Sequence, residues 1–227
     1  MKKLQILAVV VVVVVLLAGT VYIASARGNR NPGVLPPNSR VQGMTYGEWS
    51  VEWWQYVFSL PMDQNPLVGA TGAVCAFELN GNVAVVVVDP SSPDPIECEV
   101  PAGTMLFLDI LSAECSTLEE PPFYGGNEDE LRACAQGFVL HDLEATIDGV
   151  AIQNIEAYIH TSPLFEFTLP ADNILEVEAG LTGQSVSNGA HLMLAPLTPG
   201  EHTIRFQASY PDLEFSVDTN YHITVTP

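Results

Sequence analysis

The chain has 227 residues and a formal net charge of −20, with 27 acidic side chains against seven Lys and Arg. Two of those seven are Lys2 and Lys3; after Ala26 only five basic residues remain, all Arg. Such a surface repels nucleic acid and anionic lipid, which excludes a nucleic-acid partner, and it suits solubility in high salt or calcium-rich water.

Met1-Lys2-Lys3 is a short positive region, Leu4 to Ala26 carries no charge, and Ala24-Ser25-Ala26 has the small-x-small form of a signal peptidase site. Residues 1–26 therefore read as a cleaved signal peptide or a retained membrane anchor, since about 20 apolar residues span a bilayer. The overall pattern favours cleavage, whereas Arg27 directly after the cut favours retention. Membrane contact is expected only through residues 4–26. Residues 27–42, with Asn31-Pro32-Gly33 and Leu35-Pro36-Pro37-Asn38, read as an extended linker, and residues 43–227 as one folded domain.

Within that domain Thr45-x-x-Glu48 is a capping box, with Met44 and Trp49 placed as a hydrophobic staple. Trp49, Trp53, Tyr56 and Leu60 recur at helical spacing until Pro61. A second, short helix is predicted over Glu128–Gln136, capped by Asn127, with Glu128, Asp129 and Glu130 at its positive dipole end and Gly137 closing it. The rest reads as strands. Val83–Val88 and Met105–Leu111 are apolar runs suited to burial on both faces. Leu143 to Ile147, then Asp148-Gly149, then Val150 and Ile152 form a hairpin signal. Phe165, Phe167 and Leu169 alternate, as do Ala190, Leu192 and Leu194 after a turn at Asn188-Gly189. Ile204 and Phe206 precede a turn at Tyr210-Pro211-Asp212, and Phe215 to Val225 hold a strict period of two. Short strands between turn signals predict a mostly β chain. The expected form is an antiparallel β-sandwich, immunoglobulin-like or jelly-roll-like, with a Trp-rich N-terminal helix and one short acidic-capped helix.

Cys75, Cys98, Cys115 and Cys134 are the four cysteines, with no C-x-x-C pair. Disulfides in an oxidising compartment fit better than zinc or a redox site. Cys75–Cys98 and Cys115–Cys134 are the favoured pairs because each closes a short loop. The expected location is extracellular, periplasmic or at the cell surface.

Tyr46-Gly47-Glu48-Trp49-Ser50, then Trp53-Trp54-Gln55 and Asn65-Pro66-Leu67, resembles the start of a family of exported microbial proteins of unknown function. The similarity continues through Cys98, Val100-Pro101-Ala102-Gly103, Cys115, Leu131-Arg132-Ala133-Cys134, Ser162-Pro163-Leu164-Phe165 and the closing hairpin. It implies export and a compact disulfide-bearing domain, and brings no catalytic residue. Pro199 to Ile204 with the long last strand resembles the final hairpin of bacterial immunoglobulin-like domains.

Several groups invite chemistry. Trp49, Trp53 and Trp54 have two readings: a sugar-stacking platform with Glu48, Glu52 or Asp63 as polar partners, or a stripe packed on a sheet, as large aromatics usually are. The histidines are His141, His160, His191, His202 and His222. In His141-Asp142-Leu143-Glu144 the polar groups alternate across a strand and do not converge. Asp218, Asn220 and His222 share the outer face of the last strand. Ser185 lies in Gly183-Gln184-Ser185-Val186-Ser187, which lacks the last glycine of a nucleophile elbow. No cofactor is evident; calcium is the ion that Asp89 with Asp94, or Asn127, Glu128 and Asp129, would suit, although no EF-hand pattern exists. The expected function is a non-catalytic binding or surface-structural module with a glycan or surface protein as partner. A secreted glycan-active hydrolase, and a subunit of a surface layer or filament joined through a strand edge, are the alternatives.

Overall fold

A computed structural model describes residues 31, 33–68, 76–86 and 95–227; the segment 1–26, Cys75, Val87, Val88, Asp89 and Asp94 lie outside the described residues. Helix α1 (Tyr46–Ser59) begins at the expected capping box: the Thr45 side chain accepts from the Glu48 N–H while Glu48 accepts from the Thr45 N–H at 2.7 Å. Those hydrogen bonds hold the Glu48 carboxyl below its ordinary range, the Thr45 N–H contributing most.

Among the described residues these strands follow: β1 (Ala76–Asn80), β2 (Val83–Val86), β3 (Ile96–Pro101), β4 (Met105–Ser116), then helix α2 (Glu128–Gly137), β5 (His141–Ile147), β6 (Val150–Ala151), β7 (Ile159–Thr161), β8 (Phe165–Thr168), β9 (Thr182–Leu194), β10 (Gly200–Tyr210) and β11 (Phe215–Thr226). They form a six-stranded sheet, β1-β2-β4-β9-β7 with β8 also on β9, and a five-stranded sheet, β3-β11-β10-β5-β6. Both contribute to one hydrophobic core, which includes Leu106, Leu108 and Leu192 from the first sheet and Ile147, Ile204, Phe206 and Tyr221 from the second. The mostly β reading holds, and two sheets around one core are what a β-sandwich requires. The expectation of antiparallel pairing throughout does not. β2 runs parallel to β4 and β3 parallel to β11. The reason is that β3 departs to the opposite sheet before β4 returns beside β2, and such a crossover leaves the flanking strands parallel.

The middle of the first sheet, β2 with most of β4 and β9, is buried on both faces, and α1 covers the face turned away from the second sheet. Trp49 packs against Phe107, Phe58 stacks on Phe167 with ring centroids 4.1 Å apart, and the Ser50 and Ser187 hydroxyls meet at 2.7 Å. Helix α2 is tied to β4 by the expected Cys115–Cys134 disulfide. A loop of that length contributes about 3 kcal/mol through the unfolded chain. Leu131 and Ala135 of α2 are buried with Cys115 and Val186. Cys98 is also disulfide-bonded, and its expected partner Cys75 is outside the described residues.

Three further expectations are corrected. The stretch read as a linker is docked where it is described: Val34 and Val41 belong to the core, and Leu35 donates to the Met193 carbonyl at 2.9 Å. The Tyr46 hydroxyl adds a hydrogen bond to the Leu35 carbonyl at 2.8 Å. Gly137 is the last residue of α2, not its cap. Asn188-Gly189 is no turn; it lies mid-strand in β9. Gly189 faces Ser112 of β4, and a Cβ there would stand 2.3 Å from the Ser112 Cβ and 2.6 Å from the Leu111 carbonyl oxygen. The glycine therefore permits a close approach of two backbones. Gly189→Ala is expected to lower unfolding free energy by about 2–3 kcal/mol, whereas Gly137→Ala, where a Cβ meets nothing within 4 Å, leaves it unchanged or slightly higher. Urea titration of the two variants checks this.

Candidate functional site

The centre of the six-stranded sheet carries an irregularity that decides which side chains face α1. In β4, Asp109 pairs with His191 but Leu111 pairs with Ala190, so Ile110 is an extra residue. Before this bulge the odd residues Phe107 and Asp109 share a face; after it the even residues Ser112, Glu114 and Ser116 do. Their partners across the strand pair, His191, Gly189, Ser187 and Ser185, lie on the same face. A line of polar side chains therefore runs beneath α1.

Asp109 is 9% exposed and His191 fully buried. The Ser112 hydroxyl donates to Asp109 Oδ2 at 2.7 Å. Asp109 Oδ1 lies 3.5 Å from His191 Nε2, and neither atom makes a hydrogen bond of regular geometry. The imidazole is stacked on Phe107, centroids 5.4 Å apart. Burial raises the Asp109 carboxyl to about 7, opposed by the Ser112 hydroxyl and the Trp53 indole. Burial also pulls His191 down to about 3, with the His160 charge adding to the effect. The two side chains are therefore not an ion pair at neutral pH: the imidazole is uncharged and the acid is poised to gain or lose its proton.

A second acidic pair follows on the same face. Glu114 is 5% exposed, accepts from the Ser185 hydroxyl and is hydrogen-bonded to Glu119. Ser116 donates to Glu119 Oε2 at 2.9 Å. Burial, then the Glu119 charge, holds Glu114 well above the carboxylate range. Glu119 is raised by burial, while its bonds to Glu114 and Ser116 oppose the shift. One proton shared by the pair, resting on Glu114, satisfies this arrangement.

Both acidic groups open onto cavity space. A cleft of about 210 Å³ beside Asp109 is walled by Trp53 and Trp54 of α1, Leu67, Leu111, Ser112 and Phe215. A neighbouring cleft of about 340 Å³ reaches Glu114, Glu119 and Tyr210 and shares Trp54, Leu67, Leu111, Ser112 and Phe215 with the first. Burial drives the Tyr210 phenol upward, so it stays neutral.

Of the residues singled out from sequence, Trp53, Trp54, His191 and Ser185 fall at the site; most of the others lie elsewhere. Trp49, Trp53 and Trp54 are 1%, 2% and 8% exposed: Trp49 packs the helix on Phe107 and Trp53 and Trp54 wall the cleft, so they do not form a surface platform. Glu48 serves the cap and meets Arg40 at 3.4 Å; Glu52 is half-buried and Asp63 exposed. Asn127 caps α2 and Glu128 pairs with Arg132 at 2.7 Å. Asp142 accepts from Ser209, while His141 and Glu144 are exposed. Asp218, Asn220 and His222 occupy the outer face of β11, with Arg205 on Asp218 and Glu97 on His222. Among the described residues no group of three His, Cys, Asp or Glu is placed to hold a metal ion. A carboxylate inside the run Met105–Leu111, and a histidine inside Ala190–Leu194, are the signals that would have pointed to the site.

No family model matches the chain, and no curated protein does. Among solved structures, a cysteine protease inhibitor from Entamoeba histolytica is similar with a TM-score of 0.21 and 11% identity, over 59% of this chain and 88% of that one. A likeness so loose carries no argument.

The raised Asp109 makes the native state hold a proton that the unfolded chain releases near pH 4. Stability is therefore lost as pH rises from about 4 to about 7; Glu114 and Glu119 act in the same direction. Neutral His191 acts oppositely, losing stability as pH falls below about 6.5, and neutral Tyr210 adds nothing in this range. Asp109→Asn is expected to be more stable than the native chain by an amount that grows between pH 4 and 7 and levels at roughly 2 kcal/mol or more. Urea midpoints at pH 4.5, 6 and 8 measure it; a pH-independent difference would contradict the assignment.

Proposed function

We propose that the protein is an exported, non-catalytic binding module that takes a small, mostly apolar ligand in the cleft beneath α1. The observation that carries this reading is the cleft of about 210 Å³ walled by Trp53, Trp54, Leu67 and Phe215 with one buried carboxyl, Asp109, in its lining. Binding sites for small molecules have this make-up: apolar and aromatic walls with few polar groups. An apolar cavity of about 150 Å³ already accepts benzene, so the space suffices for a ligand somewhat larger. Support for export comes from the Cys115–Cys134 bridge and from the N-terminal pattern, which fit an oxidising, extracytoplasmic setting. Membership of the exported microbial family read from the Trp-rich segment belongs to the same proposal.

A second reading rests on Glu114 and Glu119. Two carboxyls that share a proton at the edge of a cleft are the equipment of acid–base hydrolysis. It is the weaker reading because the tryptophans are buried and the pair is already satisfied by Ser185 and Ser116. A glycan or surface protein as partner, and assembly through strand edges, remain proposals without a site.

The readings separate in one experiment. Small aromatic and aliphatic compounds are titrated into the protein with intrinsic Trp fluorescence and melting temperature as readouts, and a glycan, ester and peptide panel is incubated in parallel. Saturable quenching with a raised melting temperature and no turnover is the expected result. Turnover abolished by Glu114→Gln would replace the binding module by the hydrolase.

A further inference from the structure

The cleft has a feature that narrows its ligand: a buried acid that no cation matches among the described residues. Asp109 is nine-tenths buried. Its one basic contact, His191, is uncharged at neutral pH because burial disfavours the imidazolium. The Arg side chains among the described residues are spent elsewhere: Arg40 on Gly43 and Glu48, Arg132 on Glu128 and Ser162, Arg205 on Gln207 and Asp218. Lysine is absent after Lys3. A carboxyl so placed is poised at its midpoint near neutrality, and a positive group that arrives beside it favours the ionised form.

The walls indicate what that would be. Trp53, Trp54 and Phe215 line the cleft beside Asp109. Indole and phenyl faces attract cations through their negative quadrupole, most strongly where water is excluded. Leu67, Val86 and Leu111 offer apolar surface to the rest of a ligand. At long range the net charge of −20 concentrates cations around the protein and repels anions. A hydrated metal ion is the poorer candidate, because the lining offers one carboxylate and one hydroxyl where calcium asks for six to eight oxygens.

We propose that this cleft binds a small organic cation, an alkyl- or arylammonium, with its charge against the Asp109 carboxylate and its apolar body between Trp53, Trp54 and Phe215. The proposal rests on the cleft-binding reading above and gives it a substrate class. Binding is coupled to ionisation: the cation stabilises the carboxylate, and the proton displaced from Asp109 passes to solvent. Below neutrality the apparent affinity therefore falls as the pH is lowered, because the ligand competes with that proton.

The test uses three molecules of one shape: benzylammonium, benzyl alcohol and benzoate. Each is titrated into the full chain at pH 6 and pH 8, with Trp fluorescence and calorimetry in two buffers of different ionisation enthalpy. The expected result is benzylammonium binding at least tenfold more tightly than benzyl alcohol, with benzoate weakest. Its affinity rises several-fold from pH 6 to pH 8, and close to one proton is released per ligand at pH 6. Asp109→Asn should erase the preference for the cation while keeping the binding of benzyl alcohol. Equal or tighter binding of benzyl alcohol by the native chain overturns the cation proposal and leaves the cleft-binding reading standing. Failure of all three to bind at millimolar concentration overturns both.

Discussion

The burial of Asp109 under α1 is the constraint around which the site is arranged. One extra residue, Ile110, changes the parity of β4, so that Asp109, Ser112 and Glu114 face the helix. Without that bulge Leu111 and Ala113 would meet α1, and Glu114 would turn toward the other face. Gly189 completes the device: it lets β9 come close enough to Ser112 for the bulged strand to remain paired.

The energetics explain how a fold tolerates such a position. Holding a carboxylate where its pKa is about 7 costs about 4 kcal/mol when the group is forced to ionise, at 1.4 kcal/mol per unit. Each fully buried side chain of the α1 face, Val57 and Phe58 among them, returns about 1.5–3 kcal/mol. Two or three such contacts cover the cost, and the helix face supplies more than that. The helix can therefore sit on ionisable groups as long as its aromatic stripe is intact. The same stripe gives the cleft its walls, so packing and recognition draw on the same tryptophans.

Much of this architecture was legible in the residues. The capping box at Thr45 and Glu48, the Asn127 N-cap of α2, the Asp148-Gly149 turn and the alternation from Val217 to Val225 are local patterns, and these local patterns survive into the structure. The bridge between Cys115 and Cys134 also followed from short loop closure. What escaped were features that depend on pairing between distant strands. Asn188-Gly189 looks like a turn until β4 is laid beside it. Asp109 and His191 lie more than 80 positions apart, and only the register of β4 on β9 brings them together. The parallel pairs arise from a strand that changes sheet, which no local signal marks. The site was hidden for the same reason: its acids look unremarkable among 27 acidic residues until burial singles three of them out.

Site-resolved titration addresses this centre most directly. With ¹³C-labelled Asp, the Asp109 carboxyl carbon can be followed by NMR from pH 3 to pH 9 and assigned through Asp109→Asn. The account requires a midpoint near 7, accompanied by a His191 ring that stays neutral throughout the physiological range. A midpoint near 4 would mean that Asp109 is solvated or already paired with a cation, and the picture of an unmatched acid beneath α1 would be contradicted.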